Sequence, residues 1–165
     1  MIRSCAAFVS GFTLLLLTGC SPAAASGTVA LGGDAGEACV PTRMDQPMLI
    51  GEVLSAETAA VTVRGVELAE AAGVRVVDSY MLPVDGTVIG TSQFPPEESR
   101  SWGERVPAVG SLLNPGVSYN VVVKVERTDT ATAGSASAVK VSYSSGGSTR
   151  DAEGTTRYQF AAKCF

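Results

Sequence analysis

Asn114-Pro115-Gly116-Val117-Ser118-Tyr119-Asn120-Val121-Val122-Val123-Lys124-Val125-Glu126 reads as a turn followed by a strand. Pro115 presets φ and Gly116 accepts a positive one, so the chain reverses before Val117. Beyond it, Val117, Tyr119, Val121, Val123 and Val125 fall on one face. Ser118, Asn120, Lys124 and Glu126 fall on the other, the period of a half-buried strand rich in β-branched side chains. Val122 alone breaks the alternation.

The same period recurs on both sides of this stretch. Val139, Val141 and Tyr143 alternate with Lys140 and Ser142, and residues 144–148 then read as a loop. A hairpin return strand follows, with Tyr158, Phe160, Ala162 and Cys164 on the inward face against Arg157, Gln159 and Lys163. Upstream, residues 48–54 and 61–68 are strands. In the second of these the apolar phase slips from Val61 and Val63 to Val66 and Leu68, which predicts a β-bulge at Gly65. A helix over 66–72 would be held by Gly65 and Gly73 to barely two turns, so strand is preferred there. Residues 70–73 turn the chain into a strand over 74–82, stopped by Pro83. Asp85-Gly86 makes a tight turn before a strand at 87–90. About seven short antiparallel strands predict an all-β, two-sheet antiparallel sandwich, immunoglobulin-like, with a closed barrel as the alternative.

Near the N-terminus, Leu17-Thr18-Gly19-Cys20 closes the short apolar stretch 5–17 behind the basic residue Arg3. The run resembles a bacterial lipoprotein cleavage box. The stretch is shorter than the roughly 20 residues that cross a bilayer as a helix, which favours a signal over a span. The resemblance implies that residues 1–19 are a signal peptide, that the Cys20 thiol takes a diacylglycerol, and that the protein is anchored in the cell membrane on its extracytoplasmic face. Cys5 then leaves with the signal and Cys20 is consumed by lipid. Cys39 and Cys164 remain, with one possible intramolecular pairing in a compartment where disulfides persist. Residues 20–38, rich in Ala, Gly and Ser, are expected to be the lipidated cysteine and a flexible tether reaching about 25 Å. Residues 39–165 then form the β-sandwich domain. Trp102, the stretch 107–110, Asn114-Pro115-Gly116 before the Val-rich strand and the C-terminal cysteine together are similar to uncharacterised small lipoproteins of high-GC Gram-positive bacteria. That similarity bears on fold and location only.

Composition limits the function. The full chain carries a formal charge of −4, and removing residues 1–19 leaves 11 basic residues against 16 acidic ones, or −5. The basic residues are scattered, which excludes a nucleic-acid partner and leaves the lipid as the membrane attachment. No histidine is present, so Ser-His-Asp and Cys-His machinery is absent and no enzyme is expected. Glu97 and Glu98, adjacent in an extended segment, point in opposite directions, which is wrong for a facing acid and base pair. Residues 144–149 lack the Lys-Ser/Thr and the helix that a phosphate loop needs. No cofactor is expected. Met44, Met48 and Met81 carry soft sulfurs suited to Cu(I), but without histidine they read as core residues and no metal site is assigned.

The segment 93–106 is the candidate partner-binding surface. It places Phe94, Arg100, Trp102 and Arg105, two prolines and the only tryptophan in a connection between strands. For Trp102 itself core packing is the preferred reading, as a plug for one end of the sandwich with Phe94 stacked beside it. Two functions follow: a non-catalytic binding or accessory module that contacts an envelope protein or polymer, and a ligand-carrying or copper-handling lipoprotein with a pocket between the sheets.

Overall fold

The Val-rich segment forms β9 (Ser118–Arg127), the central strand of the largest sheet. The structure, a computed structural model, describes residues 26–164 apart from 34, 44–45, 85, 87, 97–99 and 129–131. Antiparallel to β9 lie β3 (Met48–Ala56) on one side and β5 (Val74–Pro83) on the other. Two short strands, β1 (Val29–Leu31) and β6 (Thr91–Gln93), pair in line along the outer edge of β3. The outer edge of β5 carries the two-residue β7 (Val106–Pro107). A four-stranded sheet runs β12 (Ser148–Glu153), β11 (Ala138–Ser145), β4 (Val61–Ala69), β8 (Leu112–Leu113). A three-stranded sheet runs β10 (Gly134–Ala136), β13 (Thr156–Ala161), β2 (Gly36–Pro41), with β13 and β2 parallel. Among the described residues there is one 3-10 turn, η1 (Arg100–Glu104), and no α-helix.

The sheets pack over one apolar cluster, so the protein is the all-β sandwich that alternation predicts. The largest sheet contributes Ile50, Leu54, Val121, Val123 and Val125, the four-stranded sheet Val61, Val63, Val139 and Val141, and the three-stranded sheet Tyr158 and Phe160. Each is at most 2% exposed, and these are the positions whose parity faces inward. The expected bulge is present. Ser142 pairs with Gly65 and Tyr143 with Val63, which leaves Arg64 as the extra residue and lets Val61 and Leu68 both reach the core. Residues 70–73 carry the chain from β4 in one sheet to β5 in another, with positive φ at Glu70 and Gly73.

Several expectations are corrected. The described residues hold thirteen strands in three sheets instead of about seven in two, because two- and three-residue strands fill edges that the longer ones leave open. The expected tether is already folded over its second half: Val29 pairs with Ala56 and Gly36 opens β2, so small Ala and Gly residues here fit edge strands. β11 returns through Gly146-Gly147 not to β13 but to β12, whose polar, almost wholly exposed residues carry no alternation to read. β13 instead pairs with β10 and β2. The described residues 88–90 are not a strand, and the strand comes three positions later as β6. The expected Cys39–Cys164 disulfide is present, with Cα atoms 5.6 Å apart across 125 residues of sequence; both cysteines are exposed, so Cys164 does not point inward as expected. It ties β2 to the end of β13, and closing so long a loop stabilises by about 4–5 kcal/mol. Cys20 and residues 1–19, the expected signal peptide, lie outside the described residues.

Candidate functional site

The outer face of the largest sheet begins with the residue that broke the alternation. Val122 points away from the main core and, with Leu49, Leu82 and Ile89, forms a second buried cluster. Chain segment 88–94 covers it, and two residues of the sheet hold that segment down. Gly51 accepts the close approach: its N–H donates to the Gly90 carbonyl at 2.8 Å, and a Cβ there would strike the Ile89 carbonyl. Asn120 is 2% exposed; its Oδ1 accepts the Ile89 N–H at 2.8 Å and its Nδ2 donates to the Glu52 carbonyl at 3.1 Å. Both ends of the amide are satisfied, as burial requires.

Around this cluster stand three half-buried aromatic rings. Trp102 on η1 meets Tyr80 of β5 edge-on at 5.1 Å between centroids and Phe94 at 6.0 Å. The Arg105 guanidinium lies 4.6 Å from the Trp102 ring centre and 5.7 Å from that of Tyr80, and its Nη1 donates to the Trp102 carbonyl at 2.9 Å. Lys124 places its ammonium 4.1 Å from the Phe94 ring centre. Cations over π faces at such distances are held electrostatically. Among the described residues the ion pairs join Arg75 to Glu126 and Lys140 to Glu67 and Asp151, so neither Arg105 nor Lys124 is neutralised by a carboxylate within 4.0 Å. The Tyr80 hydroxyl donates to Asp78 Oδ2 at 2.7 Å; partial burial and that bond raise the phenol pKa, so it stays a donor.

The structure therefore brings Phe94, Trp102 and Arg105 together, while the side chain of Arg100 lies outside the described ones, as do Glu97 and Glu98. Trp102 packs on a buried cluster with Phe94 beside it and stays half-buried, so it is part core and part surface. It lies against the flank of a sheet. Sequence reading missed Tyr80 and Lys124, which join from strands distant in sequence; Val122, out of phase, was the one signal that this face is covered.

On the other side of η1 is an apolar cleft of about 320 Å³ where the largest and four-stranded sheets part at one edge. Met81 and Pro83, Val106, Leu112 and Leu113, and Tyr119 line it, with Glu104 as its carboxylate. Leu112 is 56% and Val106 49% exposed. Of the sulfurs suggested for copper, Met81 reaches the wall of the cleft while packed in the main core, Met48 belongs to that core alone, and Met44 lies outside the described residues.

A further residue escaped the sequence reading. Glu52 shares the inward parity of Ile50 and Leu54, and it is 5% exposed. Tyr158 donates to its Oε1 at 2.7 Å, whereas Oε2 has no hydrogen-bond partner among the described residues. Gly32 and Gly154 crowd that oxygen, leaving no room for a Cβ at either position. Burial raises the Glu52 pKa, against the opposing bond from Tyr158. The carboxyl is sealed in the core, out of reach of a substrate.

No family model matches the chain, and the search of curated proteins finds no significant match.

Proposed function

We propose that this chain is a lipid-anchored, non-catalytic binding module at the extracytoplasmic face of the cell membrane, which contacts an envelope protein or polymer through the surface built on η1. The observation that carries this reading is the aromatic trio Tyr80, Phe94 and Trp102, half-exposed on a sheet flank with two cations, Arg105 and Lys124, that have no carboxylate within 4.0 Å among the described residues. Aromatic and Arg side chains so placed are the usual anchors of an interface. The anchor rests on the lipoprotein resemblance at Cys20, and the disulfide supports an oxidising compartment. The test is crosslinking on intact membranes with a photoreactive residue at position 105, and a saturable adduct that Trp102→Ala weakens is the expected result. An adduct of undiminished yield in Trp102→Ala would sink the proposal. Cys20→Ser, in parallel, is expected to release the protein into the soluble fraction.

The cleft supports a second reading, a carrier of a small apolar ligand, since its volume is at the lower end for such sites. An apolar fluorescent dye binding one-to-one to the anchor-free domain, and displaced by Leu112→Glu, is what this reading requires. The copper variant has less support, because Met48 and Met81 are 3% and 2% exposed.

A further inference from the structure

Residues 106–117, Val-Pro-Ala-Val-Gly-Ser-Leu-Leu-Asn-Pro-Gly-Val, contain no charged side chain. Four of the six large apolar residues exposed on the described surface fall in this stretch: Val106, Val109, Leu112 and Val117. Folding places it at one end of the sandwich. Leu113 pairs with Val61 at the start of β4, and Pro115 bridges to Ala56 at the end of β3. The cleft opens among these residues.

The N-terminal segment joins the domain at the same end. Val29 pairs with Ala56, the Glu57 N–H donates to the Thr28 carbonyl, and the Gly27 N–H donates to Ser145 Oγ. Gly27 packs directly on Val61, the strand neighbour of Leu113. From Ser26 back to Cys20 is six residues, which span at most about 22 Å even when fully extended. An acyl chain on Cys20 therefore holds this end of the domain close to the bilayer. The opposite end, at residues 70–73, is separated from it by the nine residues of β4, about 30 Å.

We infer that the uncharged stretch 106–117 docks on the lipid surface, seating Leu112, Val117 and their neighbours at the boundary between headgroups and acyl chains. The inference rests on the reading of Cys20 as the lipidated residue. Glu104 lines the cleft and Glu57 is at this same end, so the contact is apolar insertion and not attraction to anionic lipid. Docking would stand the sandwich upright on the membrane and turn the aromatic flank sideways, toward partners in the plane of the membrane.

The experiment uses the full lipidated chain in phosphatidylethanolamine–phosphatidylglycerol vesicles with brominated acyl chains, reading tryptophan emission at added reporters after subtraction of the parent signal. Leu112→Trp, at a position already 56% exposed, is expected to lose most of its emission, and Ala71→Trp at the far end to keep it. High salt should leave this contrast unchanged, as apolar insertion requires. Val117→Trp is the second near-end reporter should Leu112→Trp fail to fold. Equal quenching at both ends, no quenching in chains that float with the vesicles, or loss of the contrast in salt each overturns the docking while leaving the anchor intact. Chains that do not float at all overturn the lipidation reading itself, and the docking with it.

Discussion

The two faces of the largest sheet are built from neighbouring residues of the same strands and are finished differently. The inner face, carrying Ile50, Leu54, Val121 and Val123, is sealed by two other sheets. The outer face, carrying Leu49, Leu82 and Val122, is covered among the described residues by segment 88–94 and η1, which leave three aromatic rings half-exposed. Each face also buries a polar side chain that invites comparison, Asn120 of β9 outside and Glu52 of the neighbouring β3 inside. On the outer face Asn120 is satisfied at both ends and pins a covering segment. On the inner face Glu52 is satisfied at one oxygen only. The contrast divides one sheet: the inner face buries its apolar residues fully, and the outer face leaves three rings half-exposed, on which the proposed contact rests.

The largest effect should test that division directly. Phe160 is 1% exposed and stacks near Tyr158 in the main core, so Phe160→Ala is expected to cost about 3–5 kcal/mol in urea unfolding with the disulfide intact. Trp102, half-buried, should lose only roughly 1–2 kcal/mol on truncation to alanine. Equal costs would make the outer cluster a second stability core and remove the reason to read it as a contact surface.

Asn120→Leu comes next. It removes the acceptor for the Ile89 N–H and the donor to the Glu52 carbonyl, at a cost of about 2 kcal/mol. The loss should be local. Amide exchange at Ile89 and proteolysis within 88–94 are expected to speed up, while β9 and β11 keep their protection. Unchanged exchange at Ile89 would mean that the Gly51–Gly90 bond and the ring contacts hold the segment without the amide.

How far the sequence discloses these faces depends on the kind of signal each residue emits. β4, β9 and β11 are legible because β-branched and other apolar residues at every second position report one buried side, β3 and β5 as apolar-rich runs, and Gly65 because the phase slips there. β12 and β10 are not, since exposed Ser, Thr, Arg and Asp, or a Gly-Ser-Ala triplet, look the same in a strand as in a loop. β1 hides in an Ala- and Gly-rich stretch and takes its shape from the free edge of β3. At the site, Phe94, Trp102 and Arg105 stand out by composition. Tyr80 and Lys124 do not, because only the pairing of β5 with β9 brings them there. Glu52 was hidden by its chemistry: a carboxylate in an inward position contradicts the expectation that charges face solvent, although its parity with Ile50 and Leu54 was plain.

Glu52 offers the finest test of the comparison, because it sets a pH dependence that the outer face lacks. Burial raises its pKa above the ordinary 4.5 of the unfolded chain. Between those two pKa values the folded state holds a proton that the unfolded state has released. Stability contributed by the protonated carboxyl is therefore complete below about pH 4.5 and declines as pH rises toward the folded value, with a slope of at most about 1.4 kcal/mol per pH unit for one proton. Tyr158 is the titratable side chain bonded to the carboxyl, and its own pKa is raised by burial and by Glu52, so the phenol remains a donor across this range. Glu52→Gln keeps an oxygen for Tyr158 and cannot ionise. Unfolding free energies of the two proteins should diverge with rising pH above 4.5, the parent losing stability relative to the variant. A constant difference from acid to neutral pH would place the Glu52 pKa at its ordinary value in the folded chain, and the inner face would then tolerate a full charge as readily as the outer face tolerates Lys124.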